Sequence, residues 1–235
     1  MPKKVVSESE RRRRRPTKQG AVLSEELIVG TALRMLREHG GSGLTARRLG
    51  LALGCDPSAL YRYFRGMDEL TLAIGDELIG RALAGWRAGG RWRDDLRDLG
   101  LRIHRSYLDH PQAAALTASR VTGRDREIAA DETILGILRG AGFPDPAAVR
   151  VYHAFIDQAL AFAALDAASL ALPAEARTAD ERMWESTYAR LPADTHPHIA
   201  ATAGLLAARM ADSAYPVALD MLLDSAEHQL ATCRC

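Results

Sequence analysis

Residues 44–70 read LTARRLGLALGCDPSALYRYFRGMDEL, and the fold is decided here. Thr45 to Leu53 carries a short helical pattern, with Leu49, Ala52 and Leu53 directed inward and Arg47 and Arg48 outward. Gly54-Cys55-Asp56-Pro57 then makes a tight turn. Glycine accepts a positive φ, Asp56 is placed to cap the next helix, and Pro57 suits its first position. A second short helix is expected from Pro57 to Phe64, with Leu60 and Phe64 buried and Ser58, Ala59, Tyr61, Arg62 and Tyr63 facing outward. Two short helices joined by such a turn form a helix-turn-helix, whose second helix enters the DNA major groove. Small and hydroxyl-bearing side chains beside arginines suit phosphate contacts and close approach to base edges. Packing is the alternative role for the tyrosines, and plain solvation for Arg48 and Arg62. Cys55 reads as a small core residue of the turn.

Upstream, Leu27, Ile28, Thr31, Ala32, Met35 and Leu36 line one face of a helix. Ser24 is its expected N-cap, Glu25 and Glu26 favour the positive end of its dipole, and Gly40-Gly41 stops it. Downstream, Asp68 opens a fourth helix that ends before Gly89-Gly90. Beyond Trp92 the chain becomes rich in Ala and Leu, and helices are expected near 94–108, 112–119, 125–140, 146–170, 198–210 and 216–232. The helix over 146–170 is apolar nearly all round and is expected to be buried on more than one side.

The whole 235-residue chain carries a net charge of only +1, unevenly spread. Residues 1–20 contain eight basic and two acidic side chains, a net +6, which leaves −5 for the rest. A basic arm ahead of a helix-turn-helix points to phosphate attraction through counterion release, or to a solvated tail. No apolar run reaches the roughly 18 residues that span a bilayer, and no apolar segment precedes Ala21, so a cytoplasmic location without a signal peptide is expected. The three cysteines are too few and too badly spaced for a disulfide framework. Nucleophile elbow, phosphate loop and His-Glu-x-x-His helix are all missing from the sequence, which argues against an enzyme. Asp194 with His196 and His198, and Cys233 with Cys235, lack the usual metal-ligand spacing, and neither metal nor cofactor is expected.

The first helix with its glycine turn, Leu44-Thr45-x-Arg47-Arg48-Leu49, Leu53-Gly54, Ala59-Leu60-Tyr61-Arg62-Tyr63-Phe64 and Glu69-Leu70 occur in one order and spacing. From Ser24 to about Arg81 the chain thereby resembles the DNA-binding domain of the TetR family of bacterial transcriptional regulators. The resemblance implies that Thr45 bonds a phosphate, Arg47 reaches a guanine edge, Ser58 and Ala59 approach bases, and Tyr61 and Tyr63 hold phosphates. Family members usually carry lysine where this chain has Met67, and Arg65 and the Arg11–Arg15 run are the candidates to supply that charge. The second half resembles the tetracycline-repressor-like C-terminal domain more loosely. It does so through His110-Pro111, Ala141-Gly142-Phe143, Pro197-His198 and Ala218-Leu219-Asp220-Met221-Leu222-Leu223-Asp224.

These readings give an all-α protein: an arm over 1–20, a helix-turn-helix domain over 21–67, and a larger helical effector-binding and dimerisation domain over 68–235. The expected function is a homodimeric repressor of a palindromic DNA operator, released by an unknown small molecule, with no membrane partner. The 146–170 and 216–232 helices would pair with their copies in a four-helix interface. The rival readings are a helical sequestering protein without operator affinity and a nonspecific nucleic-acid binder. An effector cavity among the fourth to eighth helices would draw on His104, Tyr107, Phe143, His153, Asp157, Phe162 and Trp184, with Trp86, His110 and Tyr188 as further aromatic candidates. His104 and Asp157 are the favoured polar members, because a buried ionisable group needs a partner.

Overall fold

The computed structural model describes residues 22–210 and 212–233, and these are helical between short turns. The arm over 1–20 and the final Arg234-Cys235 lie outside the described residues. Helix α1 (Glu25–His39) begins where Ser24 accepts a hydrogen bond from the Leu27 N–H at 3.2 Å, and ends at Gly40, whose φ is 69°. After a single 3-10 turn at Gly41–Gly43, Thr45 caps α2 (Ala46–Leu53) by accepting from the Arg48 N–H, and Gly54 closes it in the left-handed region. These boundaries match the sequence reading.

The next element differs. Pro57–Arg62 is a 3-10 segment rather than a helix running to Phe64. Asp56 takes the Ser58 N–H at 2.8 Å, Pro57 has no N–H to give, and the bonds from Ala59 to Asp56 and from Tyr63 to Leu60 span three residues. The tighter winding changes which side chains face out. Ala59 turns inward beside Leu60, and on α2 Ala52 is exposed instead of buried. Helix α3 (Met67–Leu83) also stops about one turn earlier than expected, because the Arg102 guanidinium bonds the carbonyls of Ala82 and Ala84 and Gly85 takes a positive φ.

The body comprises α4 (Trp92–Leu108), α5 (Pro111–Thr117), α6 (Asp125–Ala141), α7 (Asp145–Leu170), α8 (Ala174–Ser186), α9 (Pro197–Arg209) and α10 (Tyr215–Cys233). Helix α4 is the centre, packed on α3, α6, α7 and α10. Gly100 permits this: a Cβ there would meet the Tyr215 hydroxyl at 2.7 Å and Leu219 and Phe155 at 3.0 Å. Each fully buried Leu or Phe in this packing is worth about 1.5–3 kcal/mol.

Helix α7 buries one stripe, Val151, Phe155, Ala159, Ala163 and Ala167, at strict four-residue spacing. Its other apolar face, with Leu165 65% exposed, is uncovered in a single chain, so burial on more than one side is not met within one copy. Helix α10 likewise buries Tyr215, Leu219, Leu223, Ala226 and Leu230 but leaves Met221 67% exposed. Helix α8 has no counterpart in the sequence reading. It is polar nearly all round, buries nothing, and packs mainly on α9 and the 188–190 turn, with Arg177 bonding the Leu170 carbonyl at the end of α7.

Candidate nucleic-acid interface and ligand cavity

Thr45, Arg47, Arg48, Ser58, Tyr61 and Arg62 are all exposed on one small head. The Thr45 oxygen already accepts from Arg48, which leaves its O–H free to donate to a phosphate. Tyr61 is 55% exposed. The two helical pieces meet closely because Gly50 has no side chain: a Cβ there would lie 3.1 Å from the Cys55 carbonyl oxygen and from two atoms of Pro57. Two members of the sequence-derived set behave otherwise. Ala59 is only 9% exposed and packs with the core, so it is not offered to a base. Tyr63 is half-buried and its hydroxyl donates to the Leu23 carbonyl at 2.6 Å, tying the segment before α1 to the head. Leu51, 81% exposed, is an apolar group on this head that the periodicity of α2 did not single out. Cys55 is half-buried, and burial together with Asp56 pushes its thiol up, away from the reactive thiolate.

At Met67 the backbone carbonyl accepts from Thr71 and the first turn of α3 is acidic. The Arg65 N–H is taken by Glu69. Asp68 forms a two-pronged pair with Arg120, at 2.9 and 3.1 Å, and this hydrogen bonding holds its carboxyl below the usual carboxylate range. Arg120 of the body is thus brought to the start of α3, where Arg65 of the head also stands exposed.

Arg120 also borders a cavity of about 570 Å3. Its walls are Ile79 of α3, Ile103 of α4, residues 118–121 of the α5–α6 connection, Glu127, Ala130 and Asp131 of α6, and Tyr152, His153, Ile156, Asp157, Leu160, Ala161 and Ala164 of α7. The lining is mostly apolar with a few polar groups, which is the usual make-up of a small-molecule site. Tyr152 lies beside Asp131, and burial first, then this carboxylate, keeps the tyrosine hydroxyl well above the ordinary range. On the rim His153 and Asp157 pair across one helical turn at 3.1 Å.

Of the seven ligand-site candidates from sequence, only His153 and Asp157 line this cavity. Tyr107 is buried in the packing of α4, and burial pushes its hydroxyl up to about 12. Phe143 packs edge-on against Trp92 with ring centres 5.3 Å apart. His104 stacks on Tyr215 and bonds Asp166 at 2.7 Å, and Phe162 packs on the same tyrosine. That group fixes α10 against α4 and α7. Trp184 stacks on Tyr188 at the far α8 segment. His110 bonds Arg81, and burial, with Arg81 adding to it, pushes its ring down. Amphipathic periodicity marks which residues face a bundle interior but not which interior gap stays open. Asp131, Tyr152 and Arg120 were missed for that reason, although Glu127 and Asp131 stand one turn apart beside the buried Ala130 and Ile134, a pairing the sequence displays.

Head and cavity are physically joined. Arg124 pairs with Glu25 of α1 at 2.9 Å, Arg126 pairs with Glu77 of α3 at 2.6 Å, and buried Asp76 of α3 accepts the N–H groups of both Arg126 and Glu127 at 3.0 Å. The segment 118–131 thus walls the cavity on one side and holds α1 and α3 on the other. Among the described residues no group of three His, Cys, Asp or Glu is placed to hold a metal, and no single helix is long and apolar enough to cross a membrane.

A regulator of Saccharopolyspora erythraea of the helix-turn-helix transcriptional type is 30% identical over 132 residues, covering 55% of this chain and 56% of its own length. The chain thus spans about half the length of the curated relatives it matches. Among solved structures, ActR of Streptomyces coelicolor without ligand superposes with a TM-score of 0.78 at 22% identity, over 91% of this chain and 99% of that one. ActR in complex with actinorhodin gives 0.77 at 22% identity, over 88% and 96%. These two likenesses establish the fold. The family description "Bacterial regulatory proteins, tetR family" matches residues 28–74, and "Tetracyclin repressor-like, C-terminal domain" matches residues 87–230. With both its reading head and its helical body accounted for in this way, the chain belongs to the TetR family.

Proposed function

We propose that this protein is a homodimeric transcriptional repressor that binds a palindromic operator and is released by a small molecule occupying the cavity between α4, α6 and α7. One observation carries the reading: the segment that walls the cavity also holds the reading head, through Arg120 with Asp68 and Arg124 with Glu25. A ligand that displaces this segment biases the orientation of α1 and α3, and in a dimer that sets the separation of two heads which must meet half-sites about 34 Å apart, or a multiple of that. Thr45, Arg48, Tyr61 and Arg62 serve as phosphate contacts, and Arg47 and Ser58 as base contacts. The uncovered apolar faces of α7 and α10, with Leu165 and Met221, support pairing with a second copy through the 146–170 and 216–232 helices. Residues 1–20, with their net +6, add phosphate neutralisation. The relative ActR, solved with actinorhodin, supports a small organic effector here as well.

The test is competition binding at fixed salt, with duplexes tiled across the DNA flanking the protein's own gene. A palindromic duplex is expected to be preferred over scrambled sequence by about a thousandfold or more. Equal binding to every duplex, or none, overturns the reading. Arg47→Ala should relax preference at one base position, and deletion of residues 1–20 should lower the salt dependence of binding.

A further inference from the structure

The cavity's charges do not cancel. Arg120 is committed to Asp68, and His153 pairs with Asp157 on the rim. Glu127 accepts from the Thr122 N–H, the Thr122 hydroxyl and the Gly123 N–H, all neutral donors. Asp131 faces the neutral Tyr152 hydroxyl across the cavity wall. Among the described residues neither carboxylate has a cation paired with it, and the two stand four positions apart on α6, both facing the cavity. Like charges at that spacing repel. Opposite them lies the apolar wall of Ile79, Ile103, Ile156 and Leu160.

Resting on the reading of this cavity as the effector site, we propose that its ligand is a lipophilic cation, an apolar ring system bearing one positive group. The positive group sits between Asp131 and Glu127, and the rings lie against the isoleucines and Leu160. A cation relieves the repulsion between the two carboxylates and replaces the solvent that half-burial denies them, whereas a lipophilic anion of equal shape meets the same apolar wall with the wrong sign. The direction of the Asp131 pKa agrees: burial raises its carboxyl and Glu127 adds to it, and the opposing pull of the neutral Tyr152 hydroxyl does not reverse the rise.

The experiment is calorimetric titration of the intact protein in sodium buffer with tetraphenylphosphonium and with tetraphenylborate, ions of near-identical shape and opposite charge. The phosphonium is expected to bind saturably, at least about tenfold tighter than the borate, and Asp131→Asn should weaken it by about tenfold. Borate binding as tightly as the phosphonium overturns the proposal, as does phosphonium affinity that survives in both Asp131→Asn and Glu127→Gln. The wild-type comparison of the two ions decides the sign of the preferred charge even where a variant fails to fold. The operator assay separates this claim from the reading beneath it. If the borate binds and releases the operator while the phosphonium does neither, the effector site stands and the cation falls. If neither ion binds the cavity, the cation proposal falls whatever the operator preference.

Discussion

Replacing Asp76 with alanine is expected to destabilise the protein by about 2 kcal/mol, and the reasoning is local enough to fail cleanly. Helix α6 starts at Asp125 with no side-chain cap of its own, since its N-cap residue is Arg124. Its first-turn N–H groups at Arg126 and Glu127 are satisfied instead by Asp76 of α3, 6% exposed, whose Oδ1 lies 3.0 Å from each nitrogen. Removing a side-chain cap costs about 1 kcal/mol, and leaving a buried donor unpaired costs about 1–3 kcal/mol. The adjoining crevice of about 430 Å3, lined by Glu25, Glu26, Glu77 and Arg124 to Arg126, is polar and admits water to the freed groups, which keeps the sum near the lower end. For a chain of this size each kcal/mol lowers the unfolding midpoint by about 2–4 °C, so a fall of about 4–8 °C is expected. Thermal unfolding followed by far-ultraviolet circular dichroism, at equal protein concentration, measures it. Asp76→Asn retains an acceptor and loses the charge that favours a helix N-terminus, so it should fall between wild type and alanine. An alanine variant with an unchanged midpoint, or an asparagine variant as damaged as alanine, refutes the capping argument.

Gly50→Leu should abolish operator binding while leaving most of the helicity, because the added side chain meets the Cys55 carbonyl and Pro57 and forces the two pieces of the head apart; retained operator affinity would show that the close approach is dispensable. The two tyrosines should separate in a paired measurement. Tyr63→Phe loses the bond to Leu23 and about 1 kcal/mol of stability in denaturant titration, whereas Tyr61→Phe leaves the midpoint in place and weakens DNA binding; the reverse pattern contradicts the placement of both. Asp131 also makes a pH prediction. Its folded-state pKa is raised, so the folded protein binds this proton more tightly than the unfolded chain, and the ionised group costs stability as pH rises through the interval between the unfolded and folded values. Relative to Asp131→Asn, wild type should therefore be most stable in acid, lose ground as pH climbs above the ordinary aspartate range, and run parallel to the variant at neutral pH; a wild type that gains on the variant as pH rises refutes the assignment.

The amino-acid sequence by itself determined the elements whose signals are local. Ser24, Thr45 and Asp56 cap the segments they were expected to cap, and the glycines at 40 and 54 take the backbone conformations that end α1 and α2. Leu49, Leu60 and Phe64 are buried as their spacing requires. Each depends on dihedral preference and neighbour-to-neighbour hydrogen bonding, which a few consecutive residues encode completely. Tertiary structure alone decided which side chains share an opening. Tyr107, Phe143 and His104 have the composition of a pocket wall yet fill core space, while Asp131, Tyr152 and Arg120, drawn from three separate segments, border the cavity. The inward turn of Ala59 and the early end of α3 at the Arg102 guanidinium were likewise settled by groups remote from the segment's own pattern or by its tighter winding. Periodicity reports the direction a side chain leaves its helix; whether it meets another side chain or a void depends on how several helices cross, and that geometry is set by packing over the whole bundle.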